Sequence, residues 1–105
     1  MQLQDISRFL EAHYPLQLQE SYDNAGLIYG RPNLEITGAI ISLDVTEAIV
    51  AEAIESNCNL IIAHHPVVFK GLKRFNGKNF VERVLERCIQ NGIALYEIHT
   101  NLDNH

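Results

Sequence analysis

Residues 59–66 read NLIIAHHP, and this short stretch decides how the rest of the chain is interpreted. Its continuous apolar run is typical of a strand that is buried on both faces, as in a parallel sheet covered by helices. Two histidines, His64 and His65, follow the run directly, and Pro66 cannot continue a hydrogen-bonded ladder. The stretch therefore predicts a central strand whose carboxyl end carries two imidazoles.

The segments on both sides of this strand alternate between helix and strand patterns. The N-terminal side has helical spacing over 3–14, apolar runs over 26–30 and 37–45, and helical spacing again over 48–57. The C-terminal side has an irregular stretch over 66–78, a helix from Phe80 that Asn91 and Gly92 close, and an apolar strand over 93–99. This order predicts an α/β fold: a mostly parallel sheet with flanking helices and right-handed βαβ connections.

Asp44 lies where the strand over 37–45 gives way to the next helix. With Glu47 three residues later, it resembles a capping box in which Asp replaces Ser or Thr. We therefore expect helix capping, rather than metal binding, to account for Asp44.

Composition limits the class of protein. The 105 residues predict a single α/β domain over 1–105, and 8 Lys and Arg against 13 Asp and Glu give a net charge of −5, which argues against duplex nucleic acid as a partner. No apolar run approaches the roughly 20 residues of a membrane span, and the N-terminus does not resemble a signal peptide, so a cytoplasmic location is expected. Cys58 and Cys88 have no CxxC spacing and are expected to be reduced packing residues.

The polar residues at two strand ends predict a metal site. In open parallel sheets, ligands bind outside the carboxyl ends of the strands. His64 and His65 end one predicted strand, while His99 and Asp103 follow the next one along the chain. Imidazole with carboxylate suits zinc, manganese, iron or cobalt, and open coordination positions admit the water that metal-dependent hydrolases use. Structural pairing of these polar groups is the alternative, and a single strand-end histidine such as His99 is more often simply hydrogen-bonded.

A basic segment follows the histidine pair. Four of the eight basic residues fall within nine positions: Lys70, Lys73, Arg74 and Lys78. Such a segment beside a metal site suits a phosphate-bearing substrate such as a nucleotide. A solvated basic loop explains the same residues equally well.

Four blocks together resemble a known family. SYDNAGLIYG, SLDVTEAIV, IIAHHPVVFKGLKRF and HTNLDN, in this order and spacing, are similar to the N-terminal half of the dinuclear metal centre family, also called Ngg-interacting-factor-3-like or GTP cyclohydrolase I type 2 homologues. The resemblance covers residues 3–104. Tyr22 stands where the family usually has tryptophan, so an aromatic side chain is retained.

The resemblance implies specific roles and a larger assembly. It places metal ligands at His64, His65 and Asp103, and it places His99 close to the metals, where it would orient a ligand or shuttle a proton. It also implies two divalent metals per subunit, a toroidal homohexamer, and further ligands from a HxxxE motif near the family's C-terminus. This chain has no such motif, so it is expected to be an N-terminal fragment of a longer metal-binding protein.

Two functions follow as expectations. The first is a metal-dependent hydrolase of the cyclohydrolase or phosphoesterase type, in which Lys70, Lys73 and Arg74 bind the phosphate of a nucleotide or another phosphorylated small molecule. No GxxxxGK[ST] or GxGxxG motif identifies the substrate further. The second is a non-catalytic metal-binding scaffold or regulatory interaction module, as the interaction-based family name suggests.

Overall fold

The computed structural model describes residues 1–13, 26–64 and 76–98. Along the chain they form α1 (Leu3–His13), β1 (Gly26–Tyr29), β2 (Ala39–Ser42), α2 (Glu47–Glu55), β3 (Leu60–Ala63), α3 (Phe80–Gln90) and β4 (Ala94–Glu97). The strands form a sheet of order β1-β4-β3-β2. The predicted α/β class and the mostly parallel sheet with flanking helices are confirmed.

One strand departs from the parallel arrangement. β2, β3 and β4 run parallel in register, whereas β1 pairs antiparallel with β4. A parallel connection needs a crossover of a dozen or more residues, usually a helix. Residues 30–38 contain no helix. β1 and β2 lie at opposite edges of the sheet and run in opposite directions, so β2 begins at the same end of the strands at which β1 stops.

The central strands β3 and β4 are buried on both faces, as the apolar run over 60–63 predicted. On one face, α1 covers the sheet: Leu3 is fully buried, and Ile6 and Leu10, at helical spacing from it, pack against the same cluster. That cluster also contains Leu60, Ile62, Ala94 and Tyr96. Alternate strand residues thus supply this half of the core.

The opposite face of the sheet is covered by α2 and α3. Its buried cluster combines strand residues such as Ile61 and Leu95 with Val50, Val84 and Cys88 of the two helices. Arg83 of α3 and Glu47 of α2 add an ion pair with 3.5 Å between Nε and Oε2, but both side chains are partly exposed, so packing dominates.

The expected capping role of Asp44 is wrong. The N-cap of α2 is Thr46, whose Oγ1 accepts a hydrogen bond from the N–H of Ile49 over 3.1 Å. Asp44 lies two residues earlier in a bend, and its carbonyl accepts from the Ser42 hydroxyl. Asp44 and Thr46 both lie just before the helical spacing of apolar residues, so the sequence pattern does not distinguish them. The backbone of Thr46 is extended where the helix begins, and this makes Thr46 the N-cap.

The end of α3 matches the sequence prediction. Asn91 is the C-cap, its N–H donates to the Arg87 carbonyl, the N–H of Gly92 donates to the Ile89 carbonyl, and Gly92 has φ +65°. This left-handed conformation favours glycine because it has no Cβ. None of the helices in the described residues is long and apolar enough to cross a membrane.

Candidate metal centre

The carboxyl edge of the parallel strands is the part of the fold that can present polar side chains. His64 follows β3 directly, and its N–H donates to the Ser42 carbonyl over 3.1 Å. On the other side of β3, the N–H of Ile98 donates to the Ala63 carbonyl over 3.0 Å. Hydrogen bonds to both neighbouring strands therefore fix the backbone between Ala63 and His64, and the His64 side chain is half-buried.

A row of small or polar residues crosses the sheet at this edge. Ser42, Ala63 and Glu97 are register partners on β2, β3 and β4, and Gly26 of β1 lies opposite Glu97. Register partners share a face, so this row lies on the side covered by α2 and α3, one step beyond Ile61 and Leu95. The larger apolar side chains on this face therefore end one register row before the edge, where Ala63 is the last member of the buried cluster.

Glu97 is the residue of this row that the sequence analysis did not select. Its side chain is 0% exposed, although it carries a carboxyl group. A signal was available, because Glu97 interrupts the otherwise apolar run over 93–98. Charged residues are rare inside strands that are buried on both faces, because burying a charge is unfavourable unless hydrogen bonds or an opposite charge compensate it.

The structure locates part of the predicted site. His64 lies at the carboxyl edge, as predicted. The other predicted site residues lie outside the described residues: His65, Lys70, Lys73, Arg74, His99 and Asp103. Over 1–13, 26–64 and 76–98, no three His, Cys, Asp or Glu side chains come together as a metal-binding group. The proposed ligand set, His64 included, thus stays a prediction.

The cysteines lie toward the opposite edge of the sheet. Cys58 precedes the amino end of β3, and Cys88 lies in the last turns of α3, where its carbonyl accepts from the N–H of Ile93. Both are free thiols, and burial raises the pKa of Cys88 to about 11, which keeps it protonated. The expectation of packing cysteines is confirmed. The donors at the carboxyl edge are therefore nitrogen and oxygen, which fit zinc, manganese, iron or cobalt.

Fold and edge together define an α/β protein with an imidazole, that of His64, at the carboxyl end of a mostly parallel sheet. The family model described as Duf34/NIF3 (NGG1p interacting factor 3) matches residues 1–105. The chain belongs to this family, as the resemblance of its four sequence blocks predicted.

Relatives of known sequence and structure agree with this assignment. A Staphylococcus epidermidis protein named GTP cyclohydrolase 1 type 2 homolog is 44% identical over 103 residues. The crystal structure of Staphylococcus aureus protein SA1388 superposes with a TM-score of 0.91 at 41% identity, over 98% of this chain and 29% of that one. Reduced HcgD from Methanocaldococcus jannaschii superposes with a TM-score of 0.88 at 31% identity, over 98% of this chain and 41% of that one.

The match covers nearly all of this chain but only part of each relative. In the Staphylococcus epidermidis relative, it spans 98% of this chain and 28% of the relative's length. The chain thus spans less than a third of the length of the curated relatives it matches.

Proposed function

We propose that the chain forms part of a metal-dependent hydrolase that acts on a nucleotide or another phosphorylated small molecule. The observation that carries this proposal is the position of His64, which is half-buried at the carboxyl edge and anchored through its backbone to β2. This edge is where open α/β sheets bind their ligands. The name GTP cyclohydrolase 1 type 2 homolog, given to relatives 40–44% identical, supports a hydrolytic reaction.

His64, His65 and Asp103 would hold a divalent transition metal, with zinc, manganese, iron and cobalt as the candidates. When bound, such a metal lowers the pKa of water and stabilises negative charge that develops on the substrate. His99 would orient a ligand or move a proton, and Lys70, Lys73 and Arg74 would bind phosphate. We further propose that the protein is cytoplasmic, holds two metals per subunit and assembles as a homohexamer.

A second candidate function is a metal-binding scaffold that recruits another protein. Two observations favour it: the family description names an interacting factor, and β2, at an edge of the described sheet, and the residue after it expose large apolar side chains. Ile41 is 79% exposed and Leu43 is 65% exposed. An exposed apolar strand edge is a surface on which another chain can pair.

Metal content of the full-length protein tests the first requirement of both functions. The protein is purified without chelator or affinity tag and measured by inductively coupled plasma mass spectrometry, beside a His64→Ala/His65→Ala variant. We expect about one equivalent or more of a transition metal in the wild type and loss of it in the variant. His13→Ala is the matched control, because His13 is exposed on α1 and its Nδ1 lies 2.9 Å from the Phe9 carbonyl of the same helix, so this variant should keep the metal. A wild type that stays empty after incubation with zinc and manganese contradicts the proposal.

Hydrolysis assays then separate the two functions. If the protein is a hydrolase, His64→Ala abolishes nucleotide turnover while the oligomeric mass stays unchanged. If it is a scaffold, turnover is absent from the metal-loaded wild type, and partner binding survives metal removal but not the double substitution Ile41→Asp/Leu43→Asp.

A further inference from the structure

One row of the sheet is buried at its centre and open at β2. Ile41 of β2 is the register partner of Ile62 on β3, which in turn pairs with Tyr96 on β4. Tyr96 is fully buried and Ile62 is 9% exposed, whereas Ile41 is 79% exposed. Leu43, two residues after Ile41, is 65% exposed. These two side chains, Ile41 and Leu43, form the open surface of β2.

The number of helices on each face of the sheet explains this difference. Ile41 lies in register with Ile62, on the face that α1 covers, whereas the partly buried Ile40 packs into the cluster under α2 and α3. A helix is about 10 Å across and strands lie about 4.8 Å apart, so one helix covers about two strands. Two described helices therefore cover one face of the four-stranded sheet, and one described helix covers the other. The face of α1 has room for a second helix over β2.

The sequence of β2 lacks the features that protect an exposed edge strand. Charged side chains, prolines and bulges are the usual ones. Residues 36–43 read ITGAIISL, with no charged residue and no proline, and all four residues of β2 pair with β3 in regular register. Parallel strands are normally covered by helices on both faces. These features are typical of a strand that another segment covers.

The same polypeptide is the nearest source of such a segment. The chain spans less than a third of the length of its curated relatives, so most of a relative's length lies outside the matched region. A segment of the same polypeptide binds at the effective concentration that its tether sets, whereas a separate molecule must first associate from solution. A second copy of the chain and a separate protein are the other possible occupants.

We infer that a helix from the part of the full-length protein outside residues 1–105 packs beside α1 and covers Ile41 and Leu43 with its apolar face. This inference goes beyond the proposed function, because it requires neither a bound metal nor turnover. It also closes the open surface to a separate partner, so the scaffold function loses the support that the exposed edge gives it.

Thiol labelling of the full-length protein tests whether Ile41 is covered. Ile41→Cys is treated with a maleimide under native conditions, and modification of this residue is followed by peptide mass mapping. Arg8→Cys is the matched control, because the Arg8 side chain is 75% exposed on α1. We expect Ile41→Cys to react about tenfold or more slowly than Arg8→Cys, and equally fast once urea unfolds both variants. A smaller difference under native conditions would overturn the inference.

The dependence of the labelling rate on protein concentration identifies the chain that provides the cover. A tethered helix stays in place on dilution, so the rate for Ile41→Cys should not change as the oligomer dissociates. A rate that rises on dilution would assign the cover to a second copy and overturn the inference. The same slow rate is expected after His64→Ala is added, so a failed metal proposal leaves this test intact.

Photo-leucine in place of Leu43 locates the covering segment with little change in side-chain volume. Irradiated protein is digested, and the cross-linked peptides are identified by mass spectrometry. We expect residue 43 to be joined to a peptide from outside residues 1–105, and a mixture of isotope-labelled and unlabelled protein should show both peptides to come from one chain. A cross-link to a peptide within 1–105, or to a second copy, would refute the inference.

Discussion

Asn79 and Glu82 hold each other in place at the start of α3. The N–H of Glu82 donates to Oδ1 of Asn79, and Nδ2 of Asn79 donates to Oε2 of Glu82, each over 2.9 Å. The second oxygen of Glu82 accepts from the N–H groups of Asn76 and Gly77 over 2.9 and 3.1 Å. The chain that enters α3 is thereby tied to the first turn of the helix.

Glu82→Ala should lower the free energy of unfolding by about 1–3 kcal/mol, because it removes the carboxylate that accepts from the Asn79 side chain and leaves the N–H groups of Asn76 and Gly77 without their acceptor. Urea unfolding followed by circular dichroism measures the change. Glu86→Ala, an exposed glutamate on the same helix, should stay within about 0.5 kcal/mol of the wild type. Equal losses in the two variants would show that the network around Glu82 contributes little.

Gly30 should not tolerate a side chain. Its φ is +140°, and a Cβ at this position would lie 2.7 Å from both Ala94 Cβ and Leu3 Cδ2, inside the core under α1. Gly30→Ala should therefore destabilise the protein by about 2–4 kcal/mol through strain and overpacking. Thermal and urea unfolding measure the loss.

Gly92→Ala is the control for the backbone contribution alone. Gly92 also has a positive φ, +65°, but a Cβ there meets nothing within 4 Å. Gly92→Ala should therefore lower the free energy of unfolding by about 1 kcal/mol. If Gly30→Ala cost no more than Gly92→Ala, α1 would not pack closely against Gly30.

Stability should fall at alkaline pH because Cys88 is buried. Burial raises the pKa of its thiol from 9.0 to about 11, so between these values the unfolded chain has lost a proton that the folded protein retains. The free energy of unfolding is unaffected by this thiol below pH 9 and decreases as the pH rises toward 11. The decrease amounts to about 1 kcal/mol by pH 10. Cys88→Ala should be less stable at pH 8 because of its cavity, but should lose less on going to pH 10.

Cys58→Ala serves as the control, since Cys88 and its alkaline dependence remain. Burial, followed in size by the nearby charge of Glu11, raises the pKa of Tyr96 from 10.0 to about 12, so a similar loss from Tyr96 begins only near pH 10. Urea unfolding at pH 8, 9 and 10 separates the two groups. An identical decline in the wild type and Cys88→Ala would exclude the thiol as its source.

The proposed phosphate-binding role of the basic segment predicts a charge-dependent loss of affinity. In the full-length protein, Lys70→Gln/Lys73→Gln/Arg74→Gln should weaken binding of a nucleoside triphosphate by tenfold or more, because charge-assisted contacts to phosphate are lost. The dependence of affinity on salt should become shallower. Isothermal titration at two ionic strengths measures both effects.

Lys78→Gln provides the matched comparison for that experiment. Lys78 is exposed immediately before the Asn79 cap, and its replacement changes the net charge by one without touching the three proposed contacts. We expect less than a threefold effect. A triple variant that binds as tightly as the wild type would leave the segment as an ordinary solvated loop.

Much of the fold was predictable because its signals are local. The apolar run over 60–63 predicted a strand buried on both faces, and the spacing of Leu3, Ile6 and Leu10 predicted the packed face of α1. Asn91 and Gly92 identified the end of α3, since a left-handed residue is needed there. His64 at the carboxyl end of β3 followed from the same strand pattern and from Pro66.

The sequence by itself thus determined which segments become helices and strands, and that a histidine pair follows the central strand. Only the tertiary structure decided that β1 runs antiparallel beside β4, that Thr46 rather than Asp44 caps α2, and that Glu97 is buried one strand away from His64. The physical reason is range: periodicity and turn chemistry act within a few residues, whereas strand neighbours and burial depend on contacts between segments far apart in the chain.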